Sequence, residues 1–223
     1  MGSISLQAQE NIFSQTQTFL EGCVSNGRVD YNSLARNSSN LDLLVSEIAQ
    51  YELKGDKSDF PFYLNAYNIL VIKGIVDNYP VNSPMDIKGF FDSKPIAVAG
   101  QKLTLNDLEN KVIRPTYNDA RIHFALVCGA IGCPPLTNQA FTPENYDALL
   151  TENTTVALNN PTFIEMDDDQ GSLMLSKIFE WYKVDFGGND AGIIEFVNQY
   201  RNSPISSDTP VSFYEYDWTL NKQ

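Results

Sequence analysis

The chain has 223 residues, 43% of them hydrophobic, and its 15 basic against 28 acidic residues give a formal charge of −13. That length and apolar content suffice for one sizeable core, and so large a negative charge repels phosphate backbones and anionic lipid surfaces, which excludes nucleic acid as a natural partner. The apolar run Ile69–Ile72 is stopped by Lys73 and no other run is longer than a core element, so no membrane span is expected.

Met1-Gly-Ser reads as an expression scar, and the residues that follow have neither the basic nor the apolar region of a signal peptide; Leu6 also breaks the myristoylation pattern. From Leu6 to Val24, Ile12, Phe13, Thr16, Phe19, Leu20 and Val24 recur at spacings of three and four, which predicts an amphipathic helix with Cys23 as a small buried hydrophobe near its end. Leu41–Tyr51 repeats the pattern with Asn40 as N-cap. Phe62–Tyr79, stopped by Pro80, is predicted as the central buried helix, and Asn65 and Asn68 lie three apart on one of its faces.

Ile96–Thr104 reads as a hairpin around Gly100-Gln101, followed by a helix that Thr104 and Asp107 cap between them. Capping accounts for Asp107 and leaves Glu109 as the better functional carboxylate. Ile122–Val127 reads as a buried strand ending in a glycine-rich turn. Thr142, with Pro143 after it, is expected to open a helix that runs toward Pro161. Phe163–Met166 and Ser172–Leu175 flank an acidic hairpin turn at 167–171, read as structural because position 178 is Ile and supplies no calcium-loop carboxylate. Helices at Lys177–Phe186 and Ile193–Tyr200 and a closing strand at Val211–Trp218 complete the expectation: an α+β fold, with the central and N-terminal helices packed on a mostly antiparallel sheet.

The stretch Arg121–Leu136 holds the only histidine, His123, and two of the three cysteines, Cys128 and Cys133. An odd number of cysteines excludes a complete disulfide framework, but the glycine-bearing turn between Cys128 and Cys133 can bring their Cα atoms within the roughly 4.4–6.8 Å that a disulfide needs. A Cys128–His123 dyad meets a geometric objection. On an extended strand five positions span about 16 Å and an odd offset points the two side chains to opposite faces. His123 must then take its partner from the Asn65–Asn68 helix or the Asp107–Glu109 helix.

Five ordered segments carry a resemblance: Phe62-Tyr-Leu-Asn-Ala-Tyr-Asn68; Leu105-Asn-Asp-Leu-Glu109; Arg121-Ile-His-Phe-Ala-Leu with Cys128-Gly-Ala and Cys133-Pro-Pro-Leu136; Leu175–Tyr182 with Asp185-Phe186; and Tyr216-Asp-Trp-Thr-Leu-Asn221. Together they resemble domain-of-unknown-function family 547 from about residue 29 to the C-terminus, leaving 1–28 as an N-terminal helical extension. The resemblance implies little about activity. Bacterial members of that family often carry an export signal, so it implies a periplasmic or extracellular protein; without that implication the chain reads as cytoplasmic.

Three uses of the His123 region compete. The first is a hydrolase or acyl transferase with His123, Glu109, Cys128 and Cys133 as catalytic groups and Asn65, Tyr67, Asn68, Arg121, Lys177 and Trp181 as substrate-binding groups. The pairing of a central helix with a histidine strand is a distant transglutaminase- or papain-like arrangement, although Asn65 stands where a thiol would be needed and so predicts an altered site. The second is a non-enzymatic peptide- or glycan-binding module with a structural histidine, a Cys128–Cys133 disulfide and a cleft lined by Tyr63, Tyr67, Trp181 and Tyr182. Zinc comes last, because one histidine and two cysteines at this spacing are not a tetrahedral template, and no metal or cofactor is expected. The substrate or ligand is a small molecule, peptide or glycan.

Overall fold

Helix α1 (Gly2–Cys23) buries Ile12, Thr16, Leu20 and Cys23 on one stripe, the i, i+4 spacing that an amphipathic helix presents to a core. The computed structural model describes residues 2–161, 163–167 and 171–223, with side chains from residue 12 onward and excepting Asp167. Cys23 is the small hydrophobe its position suggests, and burial pushes its thiol up to about 12. A two-residue hairpin follows, β1 (Val24–Ser25) with β2 (Arg28–Val29), then α2 (Tyr31–Arg36) and α3 (Ser39–Gln50). The residue before α3 is Ser38 and not the expected Asn40; its hydroxyl bonds the Asp42 carboxylate, and the helix starts two residues, about half a turn, upstream of the expected start.

α4 (Phe60–Val76) is buried everywhere except at Lys73 and Gly74, which makes it the central helix, and Pro61 suits its first turn because the missing N–H has no intrahelical partner there. It ends before Tyr79, and Asp77–Tyr79 form turns back onto the last carbonyls ahead of Pro80. Hairpin β3 (Ile96–Val98) and β4 (Gln101–Leu103) turns through Ala99 and Gly100, both at positive φ, as a tight hairpin requires. The expected capping box on Thr104 and Asp107 is present and starts α5 (Leu105–Asp107), which runs on through a π-helical turn (Leu108–Ile113) into α6 (Arg114–Tyr117).

The histidine segment departs from expectation. Ala120–Phe124 is a 3-10 turn capped by Asp119, and the chain beyond it is irregular, so no strand carries His123. An apolar run of this length does not by itself distinguish a strand from a buried turn. The Asn68 amide supplies the hydrogen bonds that sheet neighbours would have given: Nδ2 donates to the Ala125 carbonyl at 2.8 Å and Oδ1 accepts from Val127 N–H at 2.9 Å. Asn65 does the same for Phe141, donating to its carbonyl and accepting from its N–H. Both amides thus staple irregular backbone to α4.

α7 (Tyr146–Leu158) starts after Asn145, because Thr142 instead caps the turn before it by accepting from the N–H groups of Glu144 and Asn145. β5 (Ile164–Asp167) and β6 (Ser172–Leu175) pair antiparallel as expected; the tip at 168–170 lies outside the described residues. The helix expected at 177–186 divides into α8 (Ile178–Trp181) and a 3-10 turn (Lys183–Phe186), and α9 (Asp190–Asn198) follows. The closing strand is short: β7 (Val211–Phe213) adds parallel to β6, and the chain then leaves the sheet. The fold is α+β, with small sheets that are antiparallel apart from β6–β7.

The C-terminal stretch stitches the site loop in place. Ile131 and Gly132 N–H groups donate to the carbonyls of Thr219 and Asp217, Asn221 N–H donates to Gly129, and Val29 N–H donates to Asn221. Gly129 sits at φ +83°, and a Cβ there would collide with Ile75 of α4.

Candidate functional site

A cavity of about 240 Å³ opens where α4, the π-helical turn, the 3-10 turn and the C-terminal stretch meet. It brings together His123, Glu109, Cys128, Cys133, Tyr67, Trp181 and Tyr182 from the sequence-predicted set, adds Asn106, Tyr216 and Trp218, and is not lined by Tyr63. Its size suits one ring or one side chain of a larger ligand, since sites for whole drug-sized molecules start at about 300 Å³.

His123 is 4% exposed, and its polar partner comes from neither expected helix. Its Nε2 lies 2.7 Å from Oδ2 of Asp185, on the 3-10 turn after α8. Arg114 holds that carboxylate with Nε on Oδ2 at 2.8 Å and Nη2 on Oδ1 at 2.9 Å, a fork that fixes its plane. Partial burial pushes the Asp185 carboxyl up, but the hydrogen bonds and charges of His123 and Arg114 outweigh it and hold the group well below the usual carboxylate range. Asp185 is therefore an acceptor, Nε2 carries the proton, and Nδ1 has no hydrogen-bond partner among the described residues. The imidazole also stacks on Tyr182 with ring centres 4.0 Å apart, and Arg114 lies 4.9 Å from the centre of the same phenol ring.

Glu109 is 8% exposed and sits on the π-helical turn, which takes it out of the ordinary helical register. Its Oε2 accepts from the Tyr67 hydroxyl at 3.1 Å. Burial first, and then the Glu109 carboxylate, pushes the hydroxyls of Tyr67 and Tyr182 well above their ordinary value, so both remain donors. On the opposite chemistry, Cys128 and Cys133 form a disulfide with Cα atoms 6.4 Å apart. The Tyr216 hydroxyl lies 3.0 Å from Cys133 Sγ and 3.2 Å from Cys128 Sγ, and Cys128 N–H donates to Cys133 Sγ at 3.1 Å. Trp181, Tyr216 and Trp218 pack on one another with ring centres between 4.7 and 6.0 Å apart, forming an aromatic ledge at the cavity.

The remaining predicted residues stand elsewhere. Asn65 and Asn68 spend both ends of their amides on backbone, Arg121 binds Asp119, Asp147 and Thr151, and Lys177 pairs with Glu180 and Glu215. The objection to a cysteine near His123 loses its premise, because the chain between them is not extended. Asp185 and Tyr216 fall within motifs quoted above, so a signal for them was present; Arg114 belongs to none. Among the described residues no group of three or more His, Cys, Asp or Glu side chains is placed to hold a metal ion, and no helix is long and apolar enough to cross a membrane.

No curated protein and no solved structure matches the chain. Residues 51–156 match the family model described as Protein of unknown function, DUF547, the family that the ordered motifs resemble; that span takes in Tyr67, Glu109, His123, Cys128 and Cys133, and Asp185, Trp181 and Tyr216 follow it.

Proposed function

We propose that the cavity is the active site of a hydrolase or acyl transferase in which His123 is the general base and the substrate is a peptide or glycan seated against the aromatic ledge. The observation that carries this is the Arg114–Asp185–His123 chain, which orients the only imidazole through Nε2 and leaves Nδ1 as an acceptor. Nδ1 takes a proton from water, or from an acceptor hydroxyl in the transfer reaction. The freed oxygen attacks the acyl carbon, and the imidazolium, stabilised by Asp185, returns the proton to the leaving group. Glu109 accepts a hydrogen bond from a substrate hydroxyl or amide, and Trp181 and Trp218 stack on its apolar face. With the disulfide closed neither cysteine is a nucleophile, so a thiolate route through Cys128 or Cys133 requires prior reduction.

Both tryptophans of the chain line the cavity, so intrinsic fluorescence reports binding separately from turnover. A panel of peptide and acylated-glycan esters is expected to quench this fluorescence and to be turned over. His123→Ala should abolish turnover while quenching persists. Equal turnover by the variant would refute the role of His123. The closed disulfide favours the rival, a non-enzymatic binding module, which predicts quenching and no turnover by either protein.

A further inference from the structure

The acid–base chemistry above makes no use of the disulfide, yet both of its cysteines line the cavity. Exchange needs access to a sulfur, and this disulfide faces an open space large enough for a small thiol. The two ends also differ. Cys128 is partly exposed, whereas Cys133 is 7% exposed. A disulfide sulfur can only accept, so the Tyr216 hydroxyl donates toward both atoms, and Cys133 alone receives the additional N–H of Cys128.

We propose that Cys128–Cys133 is a thiol-exchange centre whose substrate is a thiol that enters the cavity and attacks Cys128. The incoming thiolate, its proton released to solvent, forms a bond to Cys128 Sγ. The Cys128–Cys133 bond breaks and its electron pair leaves on Cys133 Sγ. Hydrogen bonds to a thiolate are stronger than those to a neutral sulfur, so the Tyr216 O–H and the Cys128 N–H make Cys133 the better leaving group. A second substrate thiolate then displaces Cys128 from the mixed disulfide. Two substrate thiols thereby become one disulfide, and the cysteine pair gains two electrons; a small-molecule disulfide runs the sequence backward and restores the pair. The aromatic ledge selects thiols carried next to an apolar or aromatic group.

The test uses the oxidised full chain and reduced glutathione, with acid quenching at short times, alkylation of free thiols and peptide mass mapping. Glutathione is expected on Cys128 with the alkyl label on Cys133. Tyr216→Phe keeps the ring on the ledge and removes only the hydroxyl, and it should slow the first exchange about tenfold. Glutathione found mainly on Cys133, or equally on both, would overturn the assignment. So would exchange that requires denaturant, or a rate unchanged in Tyr216→Phe.

Discussion

Replacing Asn68 by Ala removes the clamp that holds the His123–Cys128 loop to the central helix. Ala125 and Val127 are 2% and 3% exposed, so the freed carbonyl and N–H gain no ready access to water. An unmatched buried group costs about 1–3 kcal/mol, and with one donor and one acceptor freed the expected loss is about 3 kcal/mol or more. In a chain of this size each kcal/mol corresponds to roughly 2–4 °C, so Tm should fall by about 6–12 °C. Urea unfolding followed by circular dichroism should show a lower midpoint with an unchanged slope. Asn68→Asp should also destabilise. It keeps the acceptor for Val127 N–H but sets a carboxylate oxygen against the Ala125 carbonyl. A loss within about 0.5 kcal/mol for Asn68→Ala, the range of ordinary surface changes, would show that the amide is free for another role and would refute the clamp.

Asp185 has a depressed folded-state carboxyl, so its contribution to stability is complete above the ordinary carboxylate value, about 3.9, and is lost as pH falls from there toward the folded value. Asp185→Asn should accordingly flatten the acid limb of the stability–pH profile, and an unchanged limb would count against the ion pairs. Thr104→Ala removes one half of the capping box and should cost about 1 kcal/mol in urea unfolding. Gly129→Ala places a Cβ at a positive φ and against Ile75, so a loss of more than about 1 kcal/mol is expected, and full stability would contradict the packing of this loop.

The elements that could be read from sequence are those whose signal is local. Thr104 and Asp107 sit three apart and cap as read, and the apolar residues that dominate 60–76 on every face, interrupted at Asn65, Asn68 and Lys73, can be satisfied only inside a core. The glycine turn between Cys128 and Cys133 announced a possible pairing that the structure makes. The histidine segment is not legible as a turn, because it closes local bonds onto Asp119 and Ile122 and gives the Ala125 carbonyl and the Val127 N–H to the Asn68 side chain, fifty-nine residues away from Val127, and no periodicity encodes that exchange. The partner of His123 is likewise set by a contact between segments distant in the chain. Asp185 arrives from the turn after α8, and Arg114 reaches it from the far side of the π-helical turn. Asn65 and Asn68 looked like recognition groups because two amides on a buried face need partners, and the partners proved to be backbone.

His123 is the only histidine, so its ring nitrogens can be observed by NMR without competing signals. A two-bond 15N–1H correlation spectrum, recorded where the imidazole is neutral, should show a single tautomer protonated at Nε2, which Asp185→Asn shifts toward a mixture. Protonation at Nδ1, or a mixture already present in the unsubstituted chain, would contradict the Asp185-oriented base on which the proposed chemistry depends.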